Sequence, residues 1–411
     1  MITITDKHNC CGCSACASIC PKHCITMQED NEGFLYPIVD KGHCIECGLC
    51  EKVCPCLNQN ESKQPQKVYA AINPNDKIRL ISSSGGIFTM LAEAILDEGG
   101  VVFGVRFDEN WEVKHDFTES KEGLAAFRGS KYVQSRIGDT YKLVKEFLKH
   151  GRKVLYTGTS CQIAGLKLFL RKDYDNLITM DLVCHGVPSP LVWREYLKSM
   201  PAERVVGKNT DFSSLNVLPL IKGISFRDKR FGWKKYGFSV QTSASKAEKN
   251  TDFPSYYKDK DSNPYLVGFL SNVFLRPSCY SCPSKNGKSN ADISLADYWG
   301  IENEHPNMNS TNGVSSIIVY TDKGIKLVGK IPAILEESTL LKFTSQNPAY
   351  SKSTKYPENR TRFWKSFKKQ GVQAAISKYA KPSFKESFRM NLIKIVDKLG
   401  LVSLLKKIFK R

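Results

Sequence analysis

Residues 10–21 read CCGCSACASICP, and residues 44–55 read CIECGLCEKVCP. Each stretch holds three cysteines at two-residue spacing, a fourth after three residues, and then proline. Such a run wraps three thiolates round one face of a 4Fe–4S cube and carries the fourth to a second cube. By that logic Cys10, Cys13, Cys16 and Cys54 hold one cluster, while Cys44, Cys47, Cys50 and Cys20 hold the other. Cys11, Cys24 and Cys56 are left over and are expected to pack as small hydrophobes. Zinc is the competing reading, but a zinc knuckle has no use for the third cysteine or the proline-terminated ending.

Residues 1–58 are therefore expected to form an α+β ferredoxin module that stores and passes single electrons. Eleven of the 15 cysteines fall within residues 10–56, and in a reducing compartment such cysteines serve as metal ligands rather than disulfides. The start MITITDKHNCCGC has no apolar signal core, and no run of about 18 apolar residues follows, so the expected location is cytoplasmic. A chain of 411 residues is long enough for two or three domains. The net charge of +19 is uneven: residues 341–411 hold 18 Lys and Arg against three acids, leaving the first 340 residues close to neutral. That excess raises the remote alternative of a metal-stapled nucleic-acid binder, and its confinement to the tail argues for no nucleic acid.

Beyond a polar linker at 59–66, strand and helix patterns alternate as in an open α/β sheet. Strands are expected at 67–73, 99–108, 153–157 and 177–186. Helices are expected from Ile87 to Gly99, from Gly138 to His150, and from Gln162. The turn SSSGG (82–86) opens the first helix, where free backbone N–H groups suit an anion such as a phosphate, or simply a glycine-rich cap. The turn GTSC (158–161) and the strand end at Cys184-His185 both lie at the carboxyl edge of such a sheet, the usual place for a cofactor. From 207 to 263 the chain turns polar and β-rich, with a hairpin round Arg230–Trp233. ISLADYWG and VSSIIVYTDKGIKLV read as further strands.

Taken in order, SSSGGIFTML, FRGSKYVQS, GTSCQIAGLK, VCHGVPSP, and the pair CYSCP and ADISLADYWG resemble the beta subunits of coenzyme F-420 hydrogenase and dehydrogenase. The resemblance covers residues 65–335. It implies an α/β flavin-binding domain with β-rich insertions, running as two parts, 67–200 and 201–340. It also implies FAD, coupling of iron–sulfur centres to a hydride-accepting organic partner, and the deazaflavin F-420 as one such partner. By the resemblance Ser83, Ser84, Gly85 and Gly86 approach the flavin, with Lys131 and Tyr132 beside it and Gly158 and Thr159 lining the same cleft. Taken without the family, Lys131 reads as an exposed loop lysine. His185 is the candidate for proton delivery, against a structural role at a strand end. Asp292 and Asp297 either orient cofactor or cap turns.

The C-x2-C pair Cys279 and Cys282 supplies half a metal site. The body's two other cysteines, Cys161 and Cys184, complete a four-thiolate set for a third 4Fe–4S cluster, the alternative being scattered buried thiols.

Residues 341–382 read as a basic linker and 383–411 as a basic amphipathic helix, suited to an anionic membrane surface or to protein. The expected function is an iron–sulfur flavoprotein oxidoreductase acting on a small organic substrate. The alternative is an electron-transfer subunit that serves a ferredoxin or a hydrogenase or dehydrogenase subunit and has no substrate of its own.

Overall fold

The computed structural model describes residues 1–200, 218–242 and 256–380. The amphipathic helix expected at 383–411 lies outside the described residues. Among the described residues no helix is long and apolar enough to cross a membrane.

The N-terminal module is built on an antiparallel pair, β1 (Ile25–Glu29) and β2 (Leu35–Val39). Its two cysteine runs fold alike. Ser14 and Gly48, each following the second cysteine of its run, take left-handed backbone and start the short helices Ala15–Ile19 and Leu49–Lys52. The third cysteines, Cys16 and Cys50, ride on those helices and are buried.

The body is organised by one eight-stranded mixed sheet. Its strands are β3 (Lys67–Ile72), β4 (Val101–Phe107), β5 (Val113–Thr118), β6 (Val154–Thr159), β7 (Leu177–Leu182), β11 (Ile293–Asp297), β12 (Ser315–Val319) and β13 (Ile334–Ser338), in the order β13-β3-β12-β11-β7-β6-β4-β5. The four central strands β11, β7, β6 and β4 run parallel, and the flanking pairs are antiparallel. Central strands such as VLYTGT and LITMDL are buried almost throughout, as parallel strands covered on both faces must be. The helices expected after 87, 138 and 162 are present as Ile87–Leu96, Thr140–Lys149 and Ser160–Leu170.

A smaller antiparallel sheet, β10-β9-β8, is formed by β8 (Ile221–Asp228), β9 (Gly237–Thr242) and β10 (Tyr256–Asp259). The hairpin round Arg230–Trp233 joins β8 to β9.

Two expectations need correction. DKGIKLV is not a strand: Thr321 caps it through Gly324 N–H, and Asp322–Val328 is helical. Residues 360–379, expected within a basic linker, form a helix whose Phe363 and Trp364 are buried in the aromatic core. The basic residues mask its apolar stripe, and Gly371, with φ of 78°, kinks it.

Candidate functional site

Because β6, β7 and β11 are parallel, their carboxyl ends open on one edge of the sheet. Cys161 follows β6 by two residues, Cys184 follows β7 by two, and Asp297 ends β11. The segments of Cys184 and Cys279 are stitched together: Pro188 bridges Leu275, and Arg276 N–H donates to Val187 O at 3.0 Å. Val187 N–H points at Cys279 Sγ at 3.4 Å. The thiol of Cys279 thus neighbours those of Cys184, Cys161 and Cys282, while Cys282 neighbours Cys161 and Cys184. The expected fourfold set is brought together. Burial pushes Cys184 up to about 11 and Cys282 up to about 12, so these thiols resist losing their protons unless a cation takes its place.

In the N-terminal module Cys20, Cys44, Cys47 and Cys50 line one small open pocket, with Cys47 exposed at its rim. Cys10, Cys13, Cys16 and Cys54 are all buried. Cys16 neighbours Cys13 and Cys10, and Cys54 neighbours Cys13. Among the described residues no three His, Cys, Asp or Glu side chains close to the span of a single metal ion. Cys20, Cys24, Cys44, Cys47 and Cys50 instead surround one shared pocket.

The three leftover cysteines are more than packing. Cys24 Sγ lies 3.4 Å from Cys20 Sγ and lines the same cavity. The Cys11 thiol neighbours those of Cys13, Cys56 and Cys161, so it spans from the module to the sheet edge. No spacing rule could have revealed that, since Cys161 is 150 residues away in the chain.

A second constellation surrounds the SSSGG turn, which follows β3 on the same edge. Ser83 Oγ accepts from Ser130 N–H at 2.7 Å and meets Ser130 Oγ at 2.8 Å, joining the turn to SKYVQS. Lys131 Nζ donates to Arg128 O and Gly129 O and, desolvated, falls to about 7. It is half-buried rather than an exposed loop lysine. Tyr132 OH accepts from Arg227, whose two terminal nitrogens also clasp Asp297 at 2.9 and 3.2 Å and reach Ser83 O. Lys229 Nζ donates to the carbonyls of Arg79, Ser84 and Asn312. Trp233 and Trp299 stack beside them at 4.6 Å with ring planes 2° apart. Arg227 and Lys229 join this constellation without any signal in the sequence, since they sit in the β-rich segment with no motif round them.

Two guanidinium groups here keep an unused donor: Nε of Arg227 and Nε of Arg79 are buried without a hydrogen-bond partner. Arg227 and Lys229 donate to Ser83 O and Ser84 O of the turn, Arg79 precedes it, and Arg128 and Lys131 flank the Ser130 that bonds it; the carboxylates paired with Arg227 and Arg79 are Asp297 and Asp76. That donor set fits an anionic group such as a dinucleotide pyrophosphate.

Replacing Lys229 by Met keeps the volume and takes the lysine donor from Ser84 O and Asn312 O, while Arg79 O keeps the N–H of Ser82. We expect about 2 kcal/mol of destabilisation, read as a lower urea midpoint.

Other expected residues are placed differently. Gly85 has a packing role: a Cβ there would lie 2.5 Å from Ala71 O and 2.7 Å from Ser315 N, and its N–H is spent on Ser315 Oγ. Ser84 Oγ donates to Val314 O, and Gly86 is the left-handed N-cap of Ile87–Leu96. Gly158 and Thr159 group with the third thiol set. Thr159 forms a capping box with Gln162 and contacts Cys161 Sγ at 3.3 Å. Gln162 then bonds Ser135, the last residue of SKYVQS, so the two constellations share a wall. His185 has its Nε2 bound to Asn272 Oδ1 at 2.6 Å and its ring edge on Phe269, and burial lowers its basicity. Asp292 is not at the edge: it ties Thr179 to Thr321 inside the sheet.

Family models match three stretches of the chain. A 4Fe-4S dicluster domain matches residues 9–58. The N-terminal model of the coenzyme F420 hydrogenase/dehydrogenase beta subunit matches residues 68–140, and the model of its C-terminal part matches residues 151–336. These last two together cover well over half of the chain. Among solved structures, a chain from the xenon-derivatised F420-reducing NiFe hydrogenase complex of Methanosarcina barkeri is similar at 17% identity with a TM-score of 0.44. That alignment covers 77% of this chain and 92% of the other. The curated proteins gave no match. With its motifs, its dicluster domain and both halves of the family matched in order, the chain belongs to the coenzyme F420 hydrogenase/dehydrogenase beta-subunit family.

Proposed function

We propose that this protein is an iron–sulfur flavoprotein oxidoreductase with three 4Fe–4S clusters in line. Cys44, Cys47, Cys50 and Cys20 hold the outer cluster. Cys10, Cys13, Cys16 and Cys54 hold the middle one, and Cys161, Cys184, Cys279 and Cys282 hold the inner one. The observation that carries this reading is the succession of neighbouring thiols from Cys50 of the outer set through Cys16, Cys13 and Cys11 to Cys161 at the sheet edge.

FAD is the group that fits the second constellation, and when bound it supplies the exchange of two single electrons for one hydride. Arg227 and Arg79 offer their free Nε donors to its phosphates, and the desolvated Lys131 amine adds a further donor that an anion would favour in its protonated form. The Ser83–Ser130 contact and the Lys229 clamp hold the turn in shape, so little reorganisation accompanies binding. Asp297 fixes the Arg227 fork through two parallel bonds. The Gln162–Ser135 bond keeps this pocket beside the inner thiol set. The hydride partner is a small organic substrate or a deazaflavin of the F-420 type. A redox protein, a ferredoxin or a hydrogenase or dehydrogenase subunit, meets the outer end, where Cys47, Ile45 and Ile38 are exposed.

Anaerobic purification with iron, sulfide and flavin analysis tests this. We expect about twelve irons and one flavin per chain; about eight irons with no flavin would leave a two-cluster electron carrier. Oxidation of a reduced donor by the purified protein alone, with a small acceptor, separates an enzyme from a subunit that only relays electrons.

A further inference from the structure

Arg276 lies three residues before Cys279, and its side chain is wholly shut off from solvent. Its Nε donates to Cys10 O at 2.7 Å. One terminal nitrogen donates to Gln134 Oε1 at 2.9 Å. The other reaches Leu35 O at 2.9 Å and Cys10 Sγ at 3.4 Å. Tyr36 covers one face of the guanidinium at 4.3 Å, with Phe34 at 5.5 Å. Meanwhile the backbone carbonyl of Arg276 accepts from Cys279 N–H at 2.9 Å. One residue therefore touches Cys10 with its side chain and Cys279 with its main chain.

Two features make this contact unusual. Gly12, with φ of +71°, leaves the space the guanidinium uses: a Cβ there would lie 2.6 Å from Gln134 Nε2 and 2.7 Å from an Arg276 terminal nitrogen. Among the described residues, none of the hydrogen-bond partners of Arg276 is a carboxylate. A buried cation without a counter-ion is costly, and the ionisable groups facing it are the thiols of Cys10, Cys11 and Cys279 and the phenol of Tyr36, all pushed towards their neutral forms, Cys11 chiefly by the neighbouring thiols and the others by burial. Its natural counter-charge is an anionic thiolate set.

We propose that Arg276 is a positioning residue that raises the reduction potential of the cluster bound through Cys10, so that an electron from the outer cluster is drawn inward and held at the middle one. This rests on the three-cluster reading above. Reduction adds one electron and no proton to that site, and a fixed positive charge in hydrogen-bond reach of its sulfur favours the added negative charge.

Potentiometric titration with EPR detection tests the role. Wild-type and Arg276→Gln proteins are purified anaerobically and their iron is counted. With equal iron, we expect one midpoint to move to a more negative potential while the others hold, the moving signal being the one that Cys10→Ser perturbs. Unchanged midpoints, or an equal shift of every cluster, would overturn the role of Arg276. A wild-type protein without iron in its N-terminal module would overturn the three-cluster reading and this role together. If Arg276→Gln fails to load its clusters, Gln134→Glu decides the matter. It keeps the arginine and places a carboxylate on the guanidinium, and the same negative shift is expected; no shift in that variant refutes the proposal.

Discussion

A Cys282→Ser protein is expected to fold, bind flavin, and carry about eight irons instead of about twelve. Its N-terminal clusters stay reducible by an external donor, while flavin reduction through them slows by orders of magnitude. The reasoning is geometric. Cys282 belongs to a short segment held from outside the thiol set, with its N–H on Ser353 Oγ at 2.9 Å. Loss of the sulfur removes a ligand but not this anchor. The neighbouring Lys285 donates to the carbonyls of Cys184 and Ala349 and keeps the segment seated as well. Cys161, Cys184 and Cys279 remain, and three thiolates hold a cube poorly where burial already opposes the ionisation of Cys184 and Cys279. Iron and sulfide analysis, with the rate of flavin reduction by a reduced ferredoxin, gives the result. A variant that keeps about twelve irons and the wild-type rate would show these four thiols to be scattered packing residues.

What could be read from the sequence follows the range over which each signal acts. The doubled cysteine run is local, and so are the alternating apolar strands and the helices after residue 67. These emerge with small changes at their ends, except that DKGIKLV, expected as strand, is helical over Asp322–Val328. The fourfold set of Cys161, Cys184, Cys279 and Cys282 became legible only by combining strand ends with the count of cysteines left over. Arg227, Lys229 and Arg276 carried no local signal: Arg227 meets Ser83 across 144 residues, and Arg276 meets Cys10 across 266. Their meaning comes from partners that only the folded sheet assembles. Gly85 shows the opposite error. A glycine in a serine-rich turn suggests ligand approach, and here it permits approach of β3 and β12 instead. The helix at 360–379 was hidden by its own Lys and Arg residues, which interrupt the apolar stripe that docks it.

The electron path also depends on the module staying docked, and Glu32 is the residue on which that turns. Glu32 sits in the β1–β2 turn and forms a two-pronged pair with Arg360, with one prong at 2.9 Å. Arg360 is 7% exposed and also donates to Leu275 O and Tyr280 OH, so it ties the module to the segment that carries Cys279. Ser189 adds a hydrogen bond to Glu32 O at the start of the helix Pro190–Lys198. Glu32→Ala leaves a buried guanidinium with neutral acceptors alone, which costs about 3 to 4 kcal/mol. Glu29 makes the contrasting pair. It meets Arg194 and Arg136 where the side chains are 24 to 45% exposed, so Glu29→Ala is expected to cost about 1 kcal/mol or less. Hydrogen exchange distinguishes the two: in Glu32→Ala, protection should fall in residues 1–58 and in 360–379 together, with iron content intact. Electron transfer from the outer cluster to the flavin should slow in step, because the thiol succession from Cys11 to Cys161 is broken at the joint. Equal protection in the two variants would mean that Arg276 and the cysteine contacts alone hold the module in place.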